Sequence, residues 1–235
     1  MIAQQTGLEH ATHAIPTAFA GAASAEEMDA MHEAVVKAFP AKTEGVGNLP
    51  LKPRIEKGTK VFELTAKAVQ WEVKPGSRIE AFAYNGVVPG PIIRVRQGDR
   101  LRVILKNELP ESTAIHWHGV MVPNKMDGVP YVTQPPIKSG QTFVYEFVAR
   151  NPGTHTYHSH HAADIQVPKG LLGAFIIDPK DSTREPRVAQ DVVMILQHSS
   201  HAPAWHADEG HYQGRMAGSP AVHVRYAEPR PRGAL

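Results

Sequence analysis

Hydrophobic and polar positions alternate with a period of two through the middle of this 235-residue chain. Val61-Phe62-Glu63-Leu64 opens a strand that runs on toward Trp71-Glu72-Val73, where Pro75-Gly76 turns it. Residues 79–84, 93–96 and 101–105 alternate in the same way, separated by Val88-Pro89-Gly90-Pro91 and by Gly98-Asp99. Further runs follow at 114–119, 142–149, 154–158, 171–177 and 191–196. Side chains two apart on a strand share a face, so such runs bury one face and wet the other. About eight or nine short strands with turn residues between them predict an all-β fold, a sandwich or closed Greek-key barrel. Nothing between the strands has helical length, which argues against a parallel βαβ fold.

Two regions break this period. Residues 24–39 predict a helix: Ser24 is the N-cap, Glu27 its capping-box partner, and Met28, Met31, Val35 and Ala38 or Phe39 form an apolar stripe expected to face a core. Pro40 stops the helix, and residues 41–58, with Gly45, Gly47, Pro50 and Pro53, read as a linker. From His198 onward the chain holds five His, four Pro and four Gly with one Leu and no Ile or Phe. Only 221–226 there looks like a strand; the rest cannot bury enough apolar surface to fold alone and resembles an out-of-frame reading of GC-rich DNA. The expected organisation is a 1–57 extension, a β domain at 58–180, and a 181–235 segment that starts another domain and ends in a disordered or out-of-frame tail.

Composition narrows the functional classes. The apolar fraction of 42% suffices for a core, and the net charge of +2 gives no field that would favour nucleic acid or an anionic membrane. No run approaches the roughly 18 apolar residues of a membrane span. The apolar stretch at 14–25 lacks the basic start of a secretory signal and follows Glu9, His10 and His13. There is no cysteine, which removes disulfides, thiolate zinc sites, iron–sulfur clusters and any copper centre that needs a thiolate.

The chemistry lies in two short histidine pairs, His116-Trp117-His118-Gly119 and His158-Ser159-His160. On a strand each pair points to one face, about 7 Å apart. A single such histidine is most often a solvated residue of an edge strand. Two pairs on strands that can lie side by side instead converge four imidazoles, which suits copper, zinc, iron or nickel. Trp117 takes the opposite, core-facing side, and Gly119 leaves room beside His118. By the same alternation His155, Tyr157 and His161 point away from the ligand face. Asp127, in Met126-Asp127-Gly128, reads from the residues alone as part of a turn.

These residues resemble the N-terminal cupredoxin domain of the laccase-like multicopper oxidases. Tyr84-Asn85-Gly86-Val87-Val88-Pro89-Gly90-Pro91 with Ile93, Val95, Gly98 and Asp99 is similar to that family's opening signature. Asn107, the His116 pair, Met126-Asp127-Gly128-Val129-Pro130, Thr133-Gln134 and Pro136-Ile137 continue it, and Gly153–His160 with 170–177 close it. The resemblance covers about residues 60–179 and implies a cupredoxin-like Greek-key β-sandwich behind the N-terminal helix. It implies a trinuclear copper cluster shared between two cupredoxin domains, half of whose histidines lie in this chain. His116 would bind the type 2 copper, His118 and His158 one type 3 copper, and His160 the other. Asp127 would be the carboxylate that orients water and relays protons. The implied reaction oxidises a phenol-like or metal-ion substrate and reduces dioxygen to water, in an extracytoplasmic setting.

The match is partial. The family's second ligand set, His-X-X-His-X-His with His-Cys-His, does not occur here, and His198, His201, His206, His211 and His223 lack its spacing. No type 1 copper can form in this chain, and Ser159 stands where copper nitrite reductases carry a type 1 cysteine. Three expectations remain open: a half-site completed by a missing C-terminal cupredoxin domain, a stand-alone copper-binding module whose copies share coppers, or a structural β-sandwich.

Overall fold

A computed structural model describes residues 24–37, 42–74, 76–183, 188–196 and 221–227. The chain divides into two units, residues 1–38 and 39–235.

The first unit contains helix α1 (Ala25–Lys37). Its capping box forms as the sequence predicts: the Glu27 backbone N–H donates to Ser24 Oγ at 3.2 Å, and the Ser24 N–H donates to Glu27 Oε2 at 2.7 Å. Of the stripe expected to face a core, the Val35 side chain and residues 38–39 lie outside the described residues, and the expectation is corrected at the two methionines. Met28 and Met31 are 46% and 57% exposed. Capping and helix-favouring Ala and Glu stabilise this helix locally, and an apolar period reports a helix without reporting what covers it.

The second unit is a β-sandwich. One sheet runs β1 (Arg54–Glu56), β2 (Thr59–Lys74), β5 (Arg100–Asn107), β7 (Thr142–Val148), with β3 (Ser77–Tyr84) also paired to β2. The other runs β4 (Ile93–Arg96), β9 (Leu172–Asp178), β8 (Gly153–Ser159), β6 (Ile115–His118). The long β2 serves two partners: 59–65 pairs parallel with β5, and 66–74 pairs antiparallel with β3. Parallel pairing also joins β4 to β9, so the chain crosses between layers and does not simply meander. Every strand expected from the alternation is present. Strand β1 lies in the segment read as a linker, where Leu51 also packs on the core and its N–H donates to the Ile92 carbonyl at 2.8 Å. Short antiparallel pairing onto β2 orders that segment without needing a period of its own.

Between the layers, Phe62, Leu64, Leu101, Val103, Tyr145 and Phe147 of the first sheet meet Ile93, Ile115, Trp117, Tyr157, Phe175 and Ile177 of the second. Trp117 is fully buried, with ring centroids of Phe147, Tyr145 and Phe175 at 5.0, 5.3 and 5.6 Å. Each large apolar side chain buried here contributes about 1.5–3 kcal/mol. Tyr157 fits because Gly173 opposes it; a Cβ at Gly173 would stand 2.3 Å from the Tyr157 ring. These anchors fix β6 and β8 by their inward side chains and leave the alternate residues on the outer face.

Strands β10 (Val188–Ile195) and β11 (Ala221–Ala227) form an antiparallel pair. Val193 and Ile195 pack against Ile92, Ala174 and Ile176 on the outer face of the second sheet. Residues 197–220 and 228–235, where the tail was expected to be disordered or out of frame, lie outside the described residues.

Candidate metal centre

Strands β6 and β8 are antiparallel, with His116 opposite His158 and His118 opposite Thr156. Trp117 pairs with Tyr157 and points into the core. The strand period therefore places His116, His118 and His158 together on the outer face, as the spacing predicts. His160 follows the end of β8, and its backbone N–H donates to the Ala114 carbonyl at 3.3 Å.

The rings converge. His118 Nδ1 lies 3.2 Å from His158 Nε2. One ring nitrogen from each of His116, His118 and His158 lies within 4.8 Å of the others. His160 stands beside this trio, its ring centroid 5.1 Å from that of His116 and 6.3 Å from that of His158. His158 is buried, His116 is half-buried, and His118 and His160 are exposed.

Hydrogen bonds assign the tautomers. A carbonyl oxygen only accepts, so a ring nitrogen bonded to one carries a proton. His116 Nδ1 donates to the Asp127 carbonyl at 2.7 Å, and His158 Nδ1 donates to the Ser159 carbonyl at 2.8 Å. Both rings thus keep an unprotonated Nε2. Such backbone partners orient imidazole ligands in metal sites.

Asp127 meets His116 in two ways. Beyond the carbonyl bond, its carboxylate Oδ1 lies 3.5 Å from the same Nδ1. A one-turn 3₁₀ helix, Asn124–Met126, and Gly128 bring it there. Gly128 has φ +80°, and a Cβ on it would lie 1.6 Å from the Ile115 carbonyl. Only glycine lets this turn approach β6 so closely.

Electrostatics favour neutral imidazoles. Burial pushes the His158 pKa down to about 4, against the pull of the Ser159 carbonyl and with help from the neighbouring histidines. Burial also lowers His116, opposed by its hydrogen bond to Asp127 and the nearby Asp127 charge. Neutral imidazole is the form that binds a metal. The donor set is nitrogen only, and His118 Nδ1 faces the unprotonated His158 Nε2, a pair that a shared proton or a cation between them satisfies. These residues fit copper.

His155, expected to point away from the ligand face, is engaged elsewhere. His155 Nε2 contacts the Asn151 carbonyl at 3.1 Å, and its ring lies beside Gly119. Gly119 has φ +79°, and a Cβ there would lie 3.1 Å from His155 Nδ1. The room Gly119 leaves is therefore filled by His155. Sequence reasoning missed Gln166, whose side chain accepts from Ser159 and Thr113 and donates to Glu111. Long-range polar contacts leave no period in the sequence.

The chain is thus an all-β sandwich with clustered imidazoles on the outer face of one sheet, a module with a candidate metal site. The chain belongs to the multicopper oxidase family, whose family model matches residues 65–182. It is 37% identical over 143 residues to the copper resistance protein A homolog of Pseudomonas syringae pv. tomato, covering 61% of this chain and 24% of that protein. It is 36% identical over 156 residues to copper resistance protein A of Escherichia coli, covering 66% and 25%. Among solved structures, the multicopper oxidase from Campylobacter jejuni, a metallo-oxidase, matches with TM-score 0.53 and 38% identity, covering 62% of this chain and 31% of that one. The chain spans about a quarter of the length of these curated relatives.

Proposed function

We propose that residues 58–180 form a copper-binding cupredoxin domain that supplies half of a trinuclear copper site, with residues 1–57 as an extension. His116 holds the type 2 copper through Nε2. His118 and His158 hold one type 3 copper through Nδ1 and Nε2, and His160 holds the other type 3 copper. The facing nitrogens of His118 and His158, 3.2 Å apart with His116 alongside, carry this reading. The exposure of His118 and His160 supports a site completed by a second cupredoxin domain, from a longer chain or another copy.

Copper, when bound, changes oxidation state by single electrons and lets several centres pool the four that dioxygen needs to become water. The chain's own residues set the conditions for this. Burial keeps His158 and His116 neutral and ready to bind. The Asp127 carbonyl fixes the His116 ring, while its partly exposed carboxylate holds and passes protons between solvent and the site. The reducing substrate is phenol-like or a metal ion; relatives named for copper resistance support a metal-rich setting, and the resemblance supports an extracytoplasmic one. Among the described residues no helix is long and apolar enough to cross a membrane.

Sedimentation of the chain with and without Cu(II) tests the half-site. Copper-dependent association of chains supports sharing of coppers across an interface. Tight copper uptake with no association, even when a domain carrying the second ligand set is added, contradicts it.

A further inference from the structure

A buried glutamine joins the two histidine strands at one end. Gln166 lies in the one-turn helix α2 (Ala163–Gln166) and is fully buried. Its Oε1 accepts from Ser159 Oγ at 2.6 Å and from Thr113 Oγ1 at 2.9 Å. Its Nε2 donates to Glu111 Oε1 at 2.6 Å and to the Ser112 carbonyl at 2.8 Å. A primary amide has two acceptor positions and two donor hydrogens, and here all four are used. Ser159 and Thr113 are themselves fully buried.

The placement of the partners gives the network its meaning. Thr113 leads into β6, just before His116, and Ser159 separates His158 from His160. One planar group thus holds both histidine-bearing segments. The backbone supports it: Ala162, at φ +45°, turns the chain back after His161, the Leu171 N–H donates to the Gln166 carbonyl at 3.1 Å, and the Ser159 N–H donates to the Leu171 carbonyl at 3.0 Å. An apolar side chain would fill this space without the need to satisfy four polar groups. A fully satisfied buried polar network instead specifies one geometry.

We propose that Gln166 is a positioning residue of the metal centre, a clasp whose amide fixes the spacing of the His116–His118 strand against the His158–His160 segment. This rests on the copper reading above. Metal–nitrogen bonds tolerate deviations of only about 0.2 Å, so a loosened clasp misplaces His160 and His158 against His116 and His118. Partners that orient metal ligands through other groups typically change metal affinity by about 10–100-fold when removed.

The test uses the full chain, with Cu(II) and Cu(I) affinities measured by competition against a chromophoric chelator and the Cu(II) signal recorded by electron paramagnetic resonance. Gln166→Leu keeps the volume and removes all four bonds. At a temperature where circular dichroism shows it folded, it is expected to bind copper about 10–100-fold more weakly with an altered signal. Ser159→Ala and Thr113→Val remove one arm each and should move in the same direction, while Thr113→Ser keeps the hydroxyl and restores parent affinity. If folded Gln166→Leu binds copper and gives the parent signal, the clasp is overturned and the network is structural only. Should that variant not fold, parent-like copper binding by Ser159→Ala and Thr113→Val overturns it equally. Failure of the parent chain to bind copper overturns the reading of the site itself, a result distinct from unaffected variants in a binding parent.

Discussion

His118 Nδ1 faces His158 Nε2 across 3.2 Å, while His158 Nδ1 is committed to the Ser159 carbonyl. A proton or a metal ion can occupy the position between them, and in the proposed half-site the two members act as a unit. His118→Ala and His158→Ala are each expected to weaken copper binding sharply. The double variant should lose less than the sum of the two, with a coupling of about 1–3 kcal/mol, as residues sharing one interaction do. Copper competition titrations of the four proteins check this. Strict additivity would place the two imidazoles on separate ions.

The metal-free protein should lose stability in acid through His158. Its folded-state pKa is pushed down to about 4 by burial, against about 6.5 for an unfolded histidine. A folded state that resists protonation is favoured above the unfolded pKa and loses that advantage as pH falls. Unfolding free energy should thus drop between about pH 6.5 and pH 4, by roughly 3 kcal/mol from this group. Denaturant melts across that range, compared with His158→Gln, should show a flatter profile in the variant.

His116 is held by the backbone of Asp127, and this separates two substitutions. Asp127→Asn keeps the carbonyl bond at 2.7 Å and should leave copper affinity nearly unchanged. Gly128→Ala puts a Cβ against the Ile115 carbonyl at a positive φ, so it should destabilise the fold by about 1–3 kcal/mol and weaken copper binding together. Thermal melts and copper titrations of both variants test the distinction.

Trp117 carries the packing that aims its two neighbours outward. Trp117→Ala should cost about 3–5 kcal/mol of stability, measured by chemical denaturation, because the ring lies among Tyr145, Phe147 and Phe175 and the walls cannot close fully.

Much of this was legible in the chain. Alternation around Trp117 and Tyr157 placed His116, His118 and His158 on one face, because side-chain direction in a strand is a local property, while His160 follows the strand's end. Capping at Ser24 and Glu27 was equally local and held. The exposure of Met28 and Met31 was not legible, since periodicity says nothing about what packs where. Strand β1 was hidden among prolines because its order comes from β2. The Gln166 amide bridges residues 53 positions apart at Thr113 and 7 apart at Ser159, contacts that only the folded chain brings together. Asp127 showed in sequence as a turn, and only the structure reveals that its carbonyl, as well as its carboxylate, addresses His116.

The central claim, that the two histidine pairs hold copper, is tested most directly by titrating the full chain with copper against a competing chelator, beside His116→Ala and His158→Ala. The account predicts uptake at micromolar copper or below by the parent and a steep loss in both variants. No uptake by the parent, or variants that load copper as the parent does, would contradict it.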